Sequence, residues 1–249
     1  MTNPGASFDE VFASVRQVQG WMTRDQAKRL WERASELKAG QRVVEIGSFH
    51  GRSLIVLAAS AALGVEIIAI DPHGGNDRGP QEFSGYETEA EQDHRQFLEN
   101  LRRAGVLERV THVRMFSHDA LVHVAGCVDL LYVDGAHRYK PARADIVGWG
   151  TKVPVGGTML VHDSFSSIGV TLALLTTNFV GGHWQFVGRS QSMAQFTRTE
   201  LSLSGRMRNI GRGLAQLPYF LRNLLFKVLI IIKLGGLTKL MGGDGTWPY

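Results

Sequence analysis

The chain has 249 residues, one cysteine and a formal net charge of +4, with 44% hydrophobic and 20% charged residues. That length suits one large α/β domain with appendages, and the composition is that of a globular protein. The lone Cys127 excludes an internal disulfide and fits a reducing cytoplasm, where it is expected as a small buried residue at the start of a strand. The N-terminus does not show the basic-then-apolar pattern of a secretory leader. Residues 201–249 hold seven basic side chains against Asp244 alone, a net of +6 that leaves −2 for the rest. The basicity therefore belongs to the tail, and the core offers nucleic acid no electrostatic footing.

In chain order, Thr23 and Gln26 form an N-cap pair ahead of a predicted helix over Asp25–Lys38. Ala39-Gly40 ends it, and the apolar run Arg42–Ile46 reads as a strand. A helix over Leu54–Leu63 leads through Gly64 to a second strand, Glu66–Ile70, with Asp71 at its tip. Residues 73–90 are polar and glycine-rich, as expected of a lid or substrate loop. A helix follows over Glu87–Ala104, with Phe97 and Leu101 on one face and Gly105 as its C-cap. Val110–Met115, Val128–Val133 and Thr158–Val161 read as strands, with helices over Tyr139–Val147 and Ile168–Asn178 between and after them. Trp184–Val187 and Met193–Thr197 form a terminal hairpin. Helices alternating with parallel strands, with an antiparallel strand added last, give a doubly wound, mostly parallel α/β sheet of seven strands. The chain divides into an N-terminal helical segment (1–40), a cofactor-binding core (41–200) and a basic helical tail (201–249).

The segment from Glu45 through Gly47, Ser48 and Gly51 to Ser53, with Asp71 one strand later, is a strand–turn–helix–strand suited to a nucleoside. Glycine lets the backbone approach a ligand, and Asp71 offers a carboxylate to two ribose hydroxyls. The close-packed three-glycine turn that holds a pyrophosphate is missing, since Phe49 and His50 stand between Gly47 and Gly51. S-adenosylmethionine has no phosphate, and Glu45 places an acid near the ammonium of its amino-acid end.

From about Gln19 to Thr197 the chain resembles class I S-adenosylmethionine-dependent methyltransferases. Within that class it is similar to bacterial O-methyltransferases of sugar and antibiotic hydroxyls, such as those of macrocin, mycinamicin and the cephalosporin pathway. Glu45-Ile46-Gly47-Ser48, Asp71, Asp134-Gly135-Ala136-His137, Gly156-Gly157 and His162-Asp163 carry the resemblance. It implies a Rossmann-like fold, adenine contacts around Phe116, Ser117 and Asp119, and a metal held at Asp134 and by an acidic pair after the fifth strand. Here that pair is His162-Asp163, so one carboxylate is replaced by imidazole. The set Asp134, His162 and Asp163 then favours Mn²⁺ or another transition ion over Mg²⁺, or metal binding is weakened. His137, where mycinamicin-type enzymes carry a catalytic histidine, is the candidate general base, with Asp134 beside it. The plainer reading of His137 is a helix cap. His50, His73 and Arg78 are candidates for the acceptor side.

The implied activity is O-methylation of a hydroxyl on a sugar or glycan. A metal-independent methyltransferase of a small molecule, and a non-catalytic binding protein of the same fold, are the competing readings. The tail reads as two helices broken near Pro218. Its apolar run, Leu224–Lys233, is short for a bilayer crossing of ~20 residues and is interrupted by Lys227. A basic, apolar helix fits an anionic membrane surface met through residues 203–240, on the inner face of the cell membrane. Burial against the core or a second copy in a homo-oligomer is the alternative.

Overall fold

The computed structural model describes residues 6–74, 87–243 and 247–248. Most of the expected substrate loop, Arg78 included, lies outside them.

Two helices open the chain, α1 (Phe8–Val15) and α2 (Arg24–Ser35). Each begins with a reciprocal capping box, Ser7 with Glu10 and Thr23 with Gln26, which satisfies two backbone donors that the first turn leaves open. The second box stands where the sequence places it, and α1 adds a separate helix within the N-terminal helical segment. The elements then alternate: β1 (Arg42–Ile46), α3 (Arg52–Ser60), β2 (Glu66–Ile70), α4 (Glu87–Ala104), β3 (Val110–Val113), the single turn α5 (Ser117–Ala120), β4 (Leu130–Val133), α6 (Tyr139–Gly150), β5 (Thr158–Val161) and α7 (Ile168–Leu174). The strands β6 (Trp184–Ser190) and β7 (Met193–Arg198) follow, then α8 (Leu203–Leu214) and α9 (Leu217–Ile231).

The sheet has seven strands in the order β3-β2-β1-β4-β5-β7-β6. The first five pair in parallel, and β7 joins β5 antiparallel. Strand order reverses between β1 and β4, and in such sheets ligands bind beyond the carboxyl ends of the strands at that point. Apolar cores cover both faces. One joins α1, α2 and α3 with Phe97 and Leu101 of α4, and the other joins α6 and α7 with the aromatic rings of β6 and β7. Residues 6–40 thus contribute to the same core as the sheet.

Some boundaries move. The third helix stops at Ser60, because Ala61 turns extended and leaves Leu63 in solvent ahead of Gly64. Cys127 is exposed, not buried: β4 begins only at Leu130, and Cys127 lies in the preceding loop with its carbonyl accepting from Arg42 Nη1 at 3.1 Å.

Candidate active site

Beyond the carboxyl edge of the sheet lies a cavity of about 930 Å³. That volume is near the upper end of the ~300–1,000 Å³ range of ligand cavities, leaving space for a nucleoside cofactor and an acceptor together. The turns after all five parallel strands reach it. Gly47 and Ser48 follow β1, Asp71 follows β2, Phe116 and Ser117 follow β3, Asp134 to His137 follow β4, and His162 and Asp163 follow β5. Trp21 and Met22 from the α1–α2 connection and Leu224 and Lys227 from α9 complete the wall.

The β1 turn is built by backbone crowding. Gly47 has φ 85, and a Cβ there would overlap the carbonyl oxygen of Asp134. The glycine therefore lets the β1 and β4 turns meet, a different reason from approach to a ligand. Ser53 Oγ donates to Glu45 Oε1 at 2.6 Å. Glu45 is fully buried and does not line the cavity. Burial pushes its carboxyl up to about 8, against the hydrogen bond from Ser53 and the nearby Ser48 hydroxyl. Its Oε2 and Ser48 Oγ are near each other without hydrogen-bond geometry. Ser48 itself lines the cavity.

Asp71 accepts backbone N–H groups from Phe49 (2.7 Å, Oδ2) and His73 (2.7 Å, Oδ1). Each oxygen retains lone-pair capacity for a ribose hydroxyl. Burial still raises this carboxyl despite those donors. Across the cavity, Ser117 Oγ donates to Asp145 Oδ1, and burial pushes Asp145 up to about 6. Asp145 was missed in the sequence, although a signal was present. It stands among Ala142, Ile146 and Trp149 on the buried face of α6, where an acid is out of place without a polar partner.

Other expected residues fall elsewhere. Gly51 caps α3, and a Cβ there would press on Leu101 and Phe97, so it serves packing. Asp119 points into solvent beside His118, because the single turn α5 directs it away from the cavity. His50 does not line the cavity, but it pairs at 3.0 Å with Asp93, which does. His73 reaches the wall, but it is buried, with Nε2 3.2 Å from His112 Nε2, and burial first and then His112 depress it to about 2.

The last cluster joins β4 to β5. His137 Nε2 lies 2.6 Å from Asp163 Oδ2. Asp163 has φ 53, the left-handed region that costs a non-glycine residue ~1–3 kcal/mol and recurs at functional sites. His162 Nδ1 lies 3.1 Å from Asp134 Oδ1 and 3.4 Å from Asp163 Oδ2. Burial opposes protonation of His162, but the two carboxylates outweigh it and hold its pKa well above the ordinary value. Asp163 is held well below the carboxylate range: burial, which raises it, is overcome by His162 and His137. The turn bearing His137 is clamped from α7. Ser167 Oγ donates to the His137 carbonyl at 3.0 Å, and a Cβ on Gly169 would overlap that same carbonyl oxygen.

Ligand atoms of Asp134, His162 and Asp163 all lie within 4.8 Å of one another. Both buried nitrogens of His162 lack a hydrogen-bond partner among the described residues. Two carboxylates beside a buried imidazole whose Nε2 has no partner among the described residues offer the kind of donor set a divalent cation takes. Lys227, which interrupts the apolar run of the tail, turns inward. Its Nζ donates to the Ser166 carbonyl at 2.8 Å on the cavity wall.

Residues 44–164 match the family described as a methyltransferase domain. The fold matches the O-methyltransferase NovP at 18% identity, covering 77% of this chain and 88% of that one, with a TM-score of 0.58. It also matches TomG, the O-methyltransferase of tomaymycin synthesis from Streptomyces achromogenes solved with S-adenosylmethionine, at 17% identity, 77% and 89% coverage and a TM-score of 0.54. A cofactor-bound protein from MTB, Rv0187, matches at 22% identity, 78% and 88% coverage and a TM-score of 0.54. The match over residues 44–164, the sheet order and the cavity at its switch point together give this chain a Rossmann-like methyltransferase fold.

Proposed function

We propose that the protein methylates a hydroxyl oxygen of a sugar or glycan, with His137 as general base and a divalent cation, Mg²⁺ or Mn²⁺, held by Asp134, His162 and Asp163. The observation that carries this reading is the 2.6 Å contact between His137 and Asp163 at the edge of the cavity. A neutral amine carries its own lone pair, whereas an alcohol is a poor nucleophile near pH 7 and has to lose its proton. A histidine oriented by a buried carboxylate is the arrangement that removes one. NovP and TomG, whose fold this chain shares, are O-methyltransferases, which favours oxygen as the acceptor atom.

The bound sulfonium supplies an activated methyl group, and a bound cation would lower the pKa of the acceptor hydroxyl. The chain supplies position and proton transfer. Asp71 and the Ser117–Asp145 pair offer acceptors to the nucleoside. Asp163 fixes the His137 ring and stabilises the imidazolium that forms when the acceptor proton arrives. Ser167 and Gly169 hold the His137 turn against α7, so the base does not swing out of reach.

The experiment is labelled-methyl transfer to fractionated cell extract, with EDTA and with Mg²⁺ or Mn²⁺ restored. Label in a hydroxyl-bearing saccharide, lost with EDTA and recovered with metal, supports the whole reading. Full activity in EDTA removes the metal part, and label on nitrogen removes the oxygen acceptor.

A further inference from the structure

The tail is bound to the domain and also presents an unpartnered face. Asn209 of α8 is buried: its Oδ1 accepts from Phe186 N at 2.8 Å, and its Nδ2 donates to the carbonyls of Asn178, Phe179 and Trp184. On α9, Asn223 Nδ2 donates to the Phe165 carbonyl at 2.9 Å, and Phe226 is buried. The stretch Leu203–Ile231 is long and apolar enough to cross a membrane by length and composition, but these contacts tie both helices to the sheet domain.

On the opposite side of α9, Leu221, Leu225, Val228 and Ile232 are exposed. Their spacing of i, i+4, i+7 and i+11 places them on one face. Leu237, Leu240 and Met241 in the 3₁₀ segment Gly235–Met241 extend the exposed apolar surface, with Leu240 at 85% exposure. No acid occurs from Leu203 to Gly243, and seven cations do. Among the described residues none of the seven ion-pairs with a carboxylate. Arg206, Arg212, Arg222 and Lys227 bond only backbone carbonyls or amide oxygens. Lys233 and Lys239 are exposed next to the apolar residues.

We propose that the outer face of α9 and the segment Gly235–Met241 dock on an anionic lipid bilayer, and that the docked protein takes an amphiphilic, lipid-borne hydroxyl as acceptor. The second half rests on the hydroxyl-methylation reading above. Exposed apolar side chains flanked by uncompensated cations match the boundary between acyl chains and anionic headgroups. A nucleic acid would use the cations and leave the apolar face in water. The same helix supplies Leu224 and Lys227 to the cavity wall from its inner side, so docking sets the cavity one helix away from the lipid surface.

The test uses the full-length protein with vesicles of phosphatidylglycerol and phosphatidylcholine in equal parts, or of phosphatidylcholine alone. Pelleting with the anionic vesicles, at least tenfold reduced by Leu221→Glu/Leu225→Glu/Val228→Glu, is the expected result. Circular dichroism and cofactor titration should show that variant folded and cofactor-competent; Leu225→Glu alone, with a smaller loss, serves if it is not. Equal pelleting of variant and wild type overturns the surface, as does no pelleting at low salt. A dimer that the triple variant dissolves, with no vesicle binding, assigns the face to a second copy and overturns it too. Label from methyl transfer is expected in the organic-solvent extract of membranes, and label confined to water-soluble acceptors overturns the second half. Vesicle binding without any methyl transfer would refute the catalytic reading and leave the docking surface standing.

Discussion

His137 Nε2 and Asp163 Oδ2 are 2.6 Å apart, although 26 residues and the whole of α6 and β5 separate them in the chain. The pair forms because β4 and β5 are neighbours in the sheet and the left-handed Asp163 turns its carboxylate back toward the β4 turn. Asp163→Asn is expected to lower kcat by about 10²–10⁴-fold with cofactor affinity unchanged. His137→Ala should fall by a similar factor, and the double variant should be no slower than the slower single one, as for residues acting as a unit. Single-turnover methyl transfer and cofactor titration measure this. Multiplying losses in the double variant would separate the two residues.

Gly47→Ala tests the crowding at the β1 turn. The left-handed backbone costs ~1–2 kcal/mol with any L side chain, and the new Cβ has to push the Asp134 carbonyl away. A lower melting temperature together with cofactor affinity weakened tenfold or more is expected. Wild-type affinity in a folded variant would show that the β4 turn moves without disturbing the cofactor side.

Glu45 predicts the sign of the pH dependence of stability. Its carboxyl is raised to about 8 from an ordinary 4.5, so the folded state keeps a proton that the unfolded chain releases. Stability from this group is complete below about 4.5 and declines as pH rises toward 8. Asp145, raised to about 6, adds a decline between about 3.8 and 6. Glu45→Gln fixes the neutral form and should flatten the upper part of the profile, with a gain on the order of 3–5 kcal/mol above pH 8. Urea midpoints at pH 5 and pH 8.5 decide it: a variant as pH-sensitive as wild type would show that the decline arises elsewhere.

Asn209→Ala should destabilise the whole domain. It strands the buried N–H of Phe186 and the carbonyls of Asn178, Phe179 and Trp184 that Asn209 now satisfies. A loss of about 2–3 kcal/mol is expected, or roughly 5–10 °C in Tm for a chain of this size. An unchanged Tm would mean that α8 is a detachable appendage.

Local patterning determined a good deal. The apolar runs, the capping box at Thr23 and the alternation of strands with helices specify a doubly wound sheet, because period and cap are encoded within a few residues. A parallel sheet then brings Gly47, Asp71, Ser117, Asp134 and Asp163 to one edge without further information. Only the tertiary structure decided what those residues touch. Glu45 lies buried against Ser53, and Gly47 yields space to the Asp134 carbonyl. Asp145 reaches the cavity from within α6, and Lys227 reaches it from the tail. Such contacts join elements tens of residues apart, and they are set by how whole helices pack on the sheet, which no local period records.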